Sequence, residues 1–128
     1  MSAMPTSCGD ETLVDAYDCN DAGLRSERIL RGIVTELIAD LALRPVAPPL
    51  WHVFPGGGMT ALVLLTESHL ALHTFPERGL ATFNLYCCRT RTRWPWAQRL
   101  AAALGASRVV VRQYERGVAL RASGPARL

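Results

Sequence analysis

The segment Glu67-Ser68-His69, with His73 five residues after the serine, combines a hydroxyl nucleophile with a group that can transfer protons. A serine hydroxyl can attack the carbonyl that precedes it, and a histidine can take up and return protons. Cys88, further along the chain, supplies a thiol. These residue types suit a chain that cuts itself and converts Ser68 into a pyruvoyl group.

The chain contains no lysine, because all 14 of its basic residues are arginine. Pyridoxal phosphate is held in its enzymes as a Schiff base to a lysine amine. We therefore expect no pyridoxal phosphate (PLP) here. Carbanion chemistry would need another electron sink, and a carbonyl made from the backbone would serve.

The length of 128 residues, with 49% hydrophobic and 20% charged residues, predicts a single soluble globular domain. We place this domain at residues 11–120, between a flexible N-terminal tail (1–10) and a C-terminal tail (121–128). A net charge of +3 from scattered arginines does not indicate nucleic-acid binding.

No apolar run approaches the ~20 residues that span a bilayer. The first residues also lack the basic and apolar regions of a signal peptide. We therefore expect a cytoplasmic protein with no membrane association. The four cysteines show no paired CxxC spacing and only three histidines accompany them, so no metal site is expected.

Two amphipathic helices are predicted. Apolar residues recur every four positions over residues 29–41, which indicates a helix with one buried stripe, and Pro45 follows it. A second helix is predicted from Pro95, which suits a first turn, to a stop at Gly105.

Strands are predicted at residues 12–17, 50–54, 61–65, 80–88 and 109–111. The continuous apolar run 61–65 is typical of a central strand buried on both faces. We expect this strand to resume after Ser68 with His69 and His73 on one side. In 80–88 the residues alternate, and Cys88 shares the polar face.

This order of elements predicts an α+β fold, a two-layer sandwich of a mainly antiparallel sheet with two helices on one face. The other face of the sheet needs cover. A second copy of the chain is the simplest source of that cover, so we expect a homodimer.

The run from Thr66 to Glu77 resembles the processing-site signature of the prokaryotic S-adenosylmethionine decarboxylase proenzymes. That signature is usually Glu-Ser-His, a short apolar stretch, then His-Thr-Trp-Pro-Glu. Other segments that look like family landmarks stand at matching spacings: 15–19, 54–58, Cys88, Pro95-Trp96 and 115–117. The resemblance covers roughly residues 11–117.

The resemblance implies cleavage between Glu67 and Ser68, with Ser68 attacking the carbonyl of Glu67. His73 matches the histidine that assists this step, and Thr60 matches a processing hydroxyl that is usually serine. Ser68 would become an amino-terminal pyruvoyl cofactor, whose carbonyl takes the substrate amine as a Schiff base. Cys88 would return a proton to carbon as general acid.

The implied substrate is S-adenosylmethionine, and the product is the aminopropyl donor for spermidine. Phe54 and Phe75 match aromatic residues that stack on adenine, and Glu77 matches an acid that binds the ribose hydroxyls. An aromatic residue in a strand or turn is also a common core residue, so both roles stay open for the two phenylalanines.

Besides Thr60, five positions depart from the family pattern: Glu11 for histidine, Phe75 for tryptophan, Asn84 for aspartate, Cys87 for threonine and Arg89 for glycine. Two alternatives therefore stay open. One is a pyruvoyl-dependent decarboxylase of a basic amino acid, ornithine or arginine, on the same fold. The other is an uncleaved, non-catalytic homologue.

Overall fold

The computed structural model describes residues 8–89 and 92–118. The elements along the chain are β1 (Gly9–Tyr17), α1 (Asp21–Leu24), α2 (Glu27–Asp40), β2 (Leu50–Val53), β3 (Met59–Leu64), β4 (Ser68–Phe75), a 3-10 turn (Pro76–Arg78), β5 (Leu80–Cys87), α3 (Trp96–Leu104) and β6 (Arg108–Arg116). Most of the predicted N-terminal tail (1–7) and all of the C-terminal tail (121–128) lie outside the described residues. Gly9 and Asp10, placed in the N-terminal tail by the sequence, belong to β1.

The six strands of the described residues form one sheet in the order β2-β3-β4-β5-β1-β6, with each neighbouring pair antiparallel. The strand predicted at 109–111 is longer than expected, because β6 runs beside the whole of β1 from Arg108 to Arg116. The predicted antiparallel α+β sandwich is confirmed.

Both predicted helices are confirmed, and each has a local reason for its bounds. Helix α2 follows Ser26, whose hydroxyl accepts a hydrogen bond from the amide of Ile29 at 3.2 Å. Helix α3 follows Pro95 and ends at Gly105, whose φ of 69° is the left-handed conformation that glycine adopts at helix ends. The segment between β1 and α2 contains the short helix α1.

The core lies between α2, α3 and one face of the sheet. Alternate strand residues point into it, and each fully buried aliphatic side chain stabilises the fold by roughly 2 kcal/mol. The largest fully buried side chains are Leu24, Leu30, Leu37, Leu70, Leu72, Leu100, Leu104, Val14 and Val63. Within residues 8–89 and 92–118, none of the helices is both long and apolar enough to cross a membrane.

The structure corrects two predictions for residues 61–65. The chain reverses at Thr66 and Glu67, so β4 is a separate strand that folds back against β3 rather than a continuation of it. In addition, β3 is buried on one face only, since Leu62 is 46% and Leu64 58% exposed. A continuous apolar run does not distinguish cover by a helix from cover by a second molecule.

The second face of the sheet, which we call the open face, carries no helix among the described residues. His69 and His73 both project from β4 on this face, as predicted, while Leu70 and Leu72 point to the core. The open face also carries residues from the other five strands, among them Leu50, Leu62, Asn84, Tyr86, Glu11 and Tyr114.

Candidate active site

The predicted cut site lies in the tight turn between β3 and β4. The amide of Leu65 donates to the carbonyl of Ser68 at 2.9 Å, and the amide of Ser68 donates to the carbonyl of Leu65 at 3.4 Å. Thr66 and Glu67 are therefore the two turn residues. The amide of Thr66 also donates to the carbonyl of Arg44 at 2.9 Å, which anchors the turn to the segment after α2.

Cys88 lies beside the bond between Glu67 and Ser68. In the β4–β5 register, Ser68 is opposite Cys87, the last residue of β5, which brings the residue that follows this strand to the turn. The thiol of Cys88 donates a hydrogen bond to the carbonyl oxygen of Glu67. This is the carbonyl that Ser68 would attack, and a donor at that oxygen can stabilise the negative charge that develops during attack.

Arg89 binds the side chain of Glu67 with two hydrogen bonds. Arg89 Nε donates to Glu67 Oε2 at 2.7 Å, and Arg89 Nη2 donates to Oε1. These hydrogen bonds and the carboxylate charge raise the pKa of the Arg89 guanidinium above its ordinary value. The arginine next to Cys88, which departs from the family pattern, thus has its charge offset by a carboxylate.

A second set of predicted residues meets at the other end of β4, on the open face. Thr60 and His73 are opposite each other in the β3–β4 register, and Thr60 Oγ1 lies 3.0 Å from His73 Nδ1. A hydrogen bond at one ring nitrogen orients the imidazole and selects its tautomer. A threonine hydroxyl supplies this contact as well as a serine hydroxyl does.

Thr60 and His73 line a cavity of about 400 Å³ together with Phe54, Phe75 and Glu77. Phe54 is 48% and Phe75 36% exposed, so neither ring is a core residue. Two accessible aromatic rings beside a carboxylate and a histidine form a site suited to a nucleoside-sized ligand. The structure therefore brings together all three predicted substrate-binding residues.

The wall of this cavity depends on residues that the sequence did not single out for this role. A Cβ at Gly58 would lie 2.7 Å from the carbonyl oxygen of Thr74, so glycine is required there. The buried Thr74 hydroxyl accepts from the amide of Met59 at 3.0 Å and donates to the carbonyl of Leu24 at 2.9 Å. The sequence did offer one signal for this role, because Thr74 is a polar residue at a core-facing position of β4.

The structure does not bring His73 to Ser68 within one chain. Five residues of extended strand separate them, about 16 Å at ~3.3 Å per residue. Strand alternation also places them on opposite faces of the sheet. The predicted site is thus divided into a cleavage group (Glu67, Ser68 and Cys88) and a cavity group (Phe54, Thr60, His73, Phe75 and Glu77).

Two positions that depart from the family pattern lie together on the open face. Asn84 Nδ2 donates to Glu11 Oε2 at 3.1 Å, and Arg116 Nη1 donates to Glu11 Oε1 at 2.5 Å. The Asn84 hydrogen bond lowers the pKa of Glu11 below its ordinary value, with Arg116 adding to the effect and burial opposing it. Asn84 Oδ1 is buried and has no hydrogen-bond partner among the described residues.

Comparison with protein families gives one match over most of the chain. The model of the family described as S-adenosylmethionine decarboxylase matches residues 10–117. The S-adenosylmethionine decarboxylase proenzyme of Prochlorococcus marinus (strain MIT 9313) is 34% identical over 109 residues, which cover 84% of this chain and 86% of that protein. The proenzyme of Acetivibrio thermocellus is 31% identical over 113 residues, covering 86% and 89%.

A solved structure shares the fold. The crystal structure of the adenosylmethionine decarboxylase from Aquifex aeolicus covers 94% of this chain and 100% of its own, with a TM-score of 0.75 and 24% sequence identity. The six-stranded antiparallel sheet with its helices is therefore the architecture of a known fold.

Proposed function

Because the chain belongs to the S-adenosylmethionine decarboxylase family, we propose that it is a pyruvoyl-dependent decarboxylase that cleaves itself between Glu67 and Ser68. The observation that carries this proposal is the hydrogen bond from Cys88 Sγ to the carbonyl oxygen of Glu67, in a turn that ends at Ser68. Family membership favours S-adenosylmethionine over ornithine or arginine as the substrate.

Self-cleavage begins with attack of the Ser68 hydroxyl on the carbonyl carbon of Glu67. Negative charge then develops on the oxygen that Cys88 contacts, and the thiol hydrogen bond stabilises it. The bond from this carbon to the Ser68 nitrogen breaks, and the nitrogen takes up a proton. Glu67 is left as an ester of the Ser68 side chain, and the Ser68 nitrogen is a free amine.

The ester is removed by elimination. A base, to which we assign His73, takes the Cα proton of Ser68, and the Glu67 carboxylate leaves from Cβ. Water then displaces ammonia from the remaining unsaturated residue, which gives a ketone at the start of the chain 68–128. The resulting pyruvoyl group supplies a carbonyl that can withdraw the electrons released with carbon dioxide.

The cavity group binds the substrate. Phe54 and Phe75 stack on the adenine, and Glu77 accepts hydrogen bonds from the ribose hydroxyls. Phe75 keeps an aromatic face for stacking, although it lacks the N–H of tryptophan. Cys88 returns a proton to the carbon that loses carbon dioxide, and the product is the aminopropyl donor for spermidine synthesis.

A second copy of the chain supplies the His73 that acts on Ser68, because the two residues of one chain are too far apart. We assign a homodimer in which two open faces pack together, with a two-fold axis running between the sheets and across the strands. This symmetry opposes the Ser68 end of one β4 to the His73 end of the other. Because strand alternation directs the Ser68 side chain away from the open face, the turn at Thr66 and Glu67 must shift for the hydroxyl to meet that histidine. The exposed Leu62, Leu64 and Tyr114 support such cover.

Intact mass after purification under folding conditions tests the cleavage. The wild type should appear as two pieces, residues 1–67 and 68–128, and Ser68→Ala as one chain of 14.0 kDa. Ser107→Ala, which removes a hydroxyl bonded to Asp18 away from the turn, is the control and should still be cut. If the wild-type chain stayed uncut, the protein would instead be interpreted as a non-catalytic homologue.

Release of labelled carbon dioxide tests the substrate. The cleaved protein should act on S-adenosylmethionine and leave ornithine and arginine unchanged in parallel assays. Activity on one of the amino acids alone would replace the proposed substrate while leaving the self-cleavage intact.

A further inference from the structure

Arg89 contacts the residue immediately before the cut bond. We propose that Arg89 is a positioning residue for self-cleavage, which orients Glu67 before the cut and retains the new Glu67 carboxyl terminus afterwards. This inference rests on the proposed function, since it concerns the same bond between residues 67 and 68.

Before the cut, one short segment holds Glu67 at two points. Cys88 contacts its main-chain carbonyl oxygen, and the next residue, Arg89, contacts its carboxylate through two nitrogens. The peptide plane can still tilt about that hydrogen bond, since its other main-chain contact, from the Ser68 amide to the Leu65 carbonyl, is long at 3.4 Å. The contact with Arg89 restricts this tilt, and a reacting carbonyl held at a fixed angle to its nucleophile reacts faster.

The other side of the turn, where the chain enters it, is held by main-chain contacts. The amide of Thr66 donates to the carbonyl of Arg44, and Leu65 forms a bridge with Pro45. These contacts fix the strand that enters the turn, but none of them reaches Glu67. The Arg89 guanidinium extends the hold to the Glu67 side chain through its two hydrogen bonds to the carboxylate.

After the cut, Glu67 loses its covalent link to β4 and carries two carboxylates, one on its side chain and one at its new terminus. Arg44 and Arg89 line a cavity of about 280 Å³ together with Glu67. Two guanidinium groups beside two carboxylates balance the charge, and an arginine binds a carboxylate through paired hydrogen bonds. This pairing keeps the new chain end beside Cys88.

A purely structural role for the same ion pair has a different signature. The Arg89 side chain is 68% and the Glu67 side chain 36% exposed, and exposed ion pairs contribute little to folding stability. Loss of the pair should therefore change the cleavage rate while leaving the unfolding temperature almost unchanged. Arg31 and Glu27 form a comparable exposed pair on α2, at 3.3 Å, and provide the control.

The experiment follows cleavage over time in pulse-labelled protein made by cell-free translation. Arg89→Gln should slow the cleavage rate constant roughly threefold to fivefold, and Arg89→Lys should restore part of the loss because it keeps the charge. Arg31→Gln should cleave at the wild-type rate. Thermal unfolding of Arg89→Gln and Arg31→Gln, each carrying Ser68→Ala to prevent cleavage, should give similar midpoints.

Two further measurements identify the carboxylate as the partner. The double variant Glu67→Gln/Arg89→Gln should be as slow as Glu67→Gln alone, since loss of the carboxylate leaves the Arg89 substitution with no ion pair at residue 67 to remove. Sodium chloride at 1 M, where the screening length falls to about 3 Å, should slow the wild type and leave Arg89→Gln unchanged.

If Arg89→Gln cleaved at the wild-type rate, or if the effects of Arg89→Gln and Glu67→Gln on the rate were additive, this inference would be overturned. The proposed function would still stand. A wild-type chain that stays uncut in the same assay would overturn both.

Discussion

At the scale of single residues, each of the two side chains proposed to assist Ser68 has one neighbour that orients it. Cys88 is directed at the carbonyl of Glu67, and His73 is bonded to Thr60. Neither contact involves Ser68 itself. The serine is therefore placed by the turn, whereas the groups that assist it are placed by their own partners.

The Cys88 thiol should accelerate self-cleavage as well as catalysis. Cys88→Ala removes the donor at the Glu67 carbonyl oxygen, and because a thiol is a weak donor we expect cleavage to slow by roughly tenfold, less than for a stronger oxyanion donor. The time course of cleavage on denaturing gels measures this. Cys8→Ala, which removes another exposed thiol, is the control. An unchanged rate in Cys88→Ala would remove Cys88 from the first step.

Glu11 should stabilise the fold in a pH-dependent way. Its pKa is lowered from 4.5 in the folded state, so its contribution is present above 4.5 and is lost as the pH falls through the lowered value. In the uncleaved Ser68→Ala background, Glu11→Gln should therefore unfold at a lower temperature than its parent near neutral pH. The difference should shrink on acidification. A difference that stays constant with pH would contradict this assignment.

At the scale of elements, the β3–β4 hairpin separates the two halves of the site. Its tight turn carries the cleavage group, and its opposite end, next to the β2–β3 turn, carries the cavity group. Register between β3 and β4 pairs Thr60 with His73, and register between β4 and β5 brings Cys88 to the turn. A register slip of one residue would turn these side chains to the other face of the sheet.

The β2–β3 turn should be sensitive at one glycine and tolerant at another. Gly58→Ala places a Cβ 2.7 Å from the Thr74 carbonyl oxygen, and we expect a loss of about 1–3 kcal/mol in unfolding free energy. The Michaelis constant for S-adenosylmethionine should rise, because the cavity wall shifts. Gly56→Ala is the matched control, since a Cβ there meets no atom within 4 Å. Equal unfolding free energies for the two variants would contradict the crowding at Gly58.

At the scale of the whole molecule, the open face carries active-site residues and is also the proposed dimer interface. Its exposed apolar residues and the histidine of the cavity group lie on one side of the sheet. Packing this face against a second copy would bury the apolar residues and complete both active sites at once.

Co-expression of two inactive chains tests this arrangement. Ser68→Ala lacks the nucleophile and His73→Ala lacks the base, so each alone should stay largely uncut. In a mixed dimer, one site has both groups, and the His73→Ala chain should be cleaved. Co-expression with a Ser68→Ala/His73→Ala chain is the control and should restore nothing. Absence of cleavage in the mixed dimer would place both groups in one chain.

Local patterns in the sequence predicted most of the elements and a candidate cut site between Glu67 and Ser68. A four-residue apolar period predicts α2 because it matches the helical turn, and Gly105 predicts the end of α3 because a left-handed residue suits glycine. The Glu67-Ser68 bond could be located because its cleavage needs a hydroxyl next to its own preceding carbonyl. Membership of a family followed from the residues around that bond.

The tertiary structure alone decided which distant residues meet. Cys88 contacts Glu67 across 21 positions because of strand register, and Arg89 reaches the same residue for the same reason. The apolar run 61–65 is covered on one face only, because both main helices pack on that same face of the sheet. His73 stands apart from Ser68 because an extended strand adds length and alternates its faces. Strand register and the burial of each sheet face depend on contacts between distant segments, so no local sequence pattern predicts them.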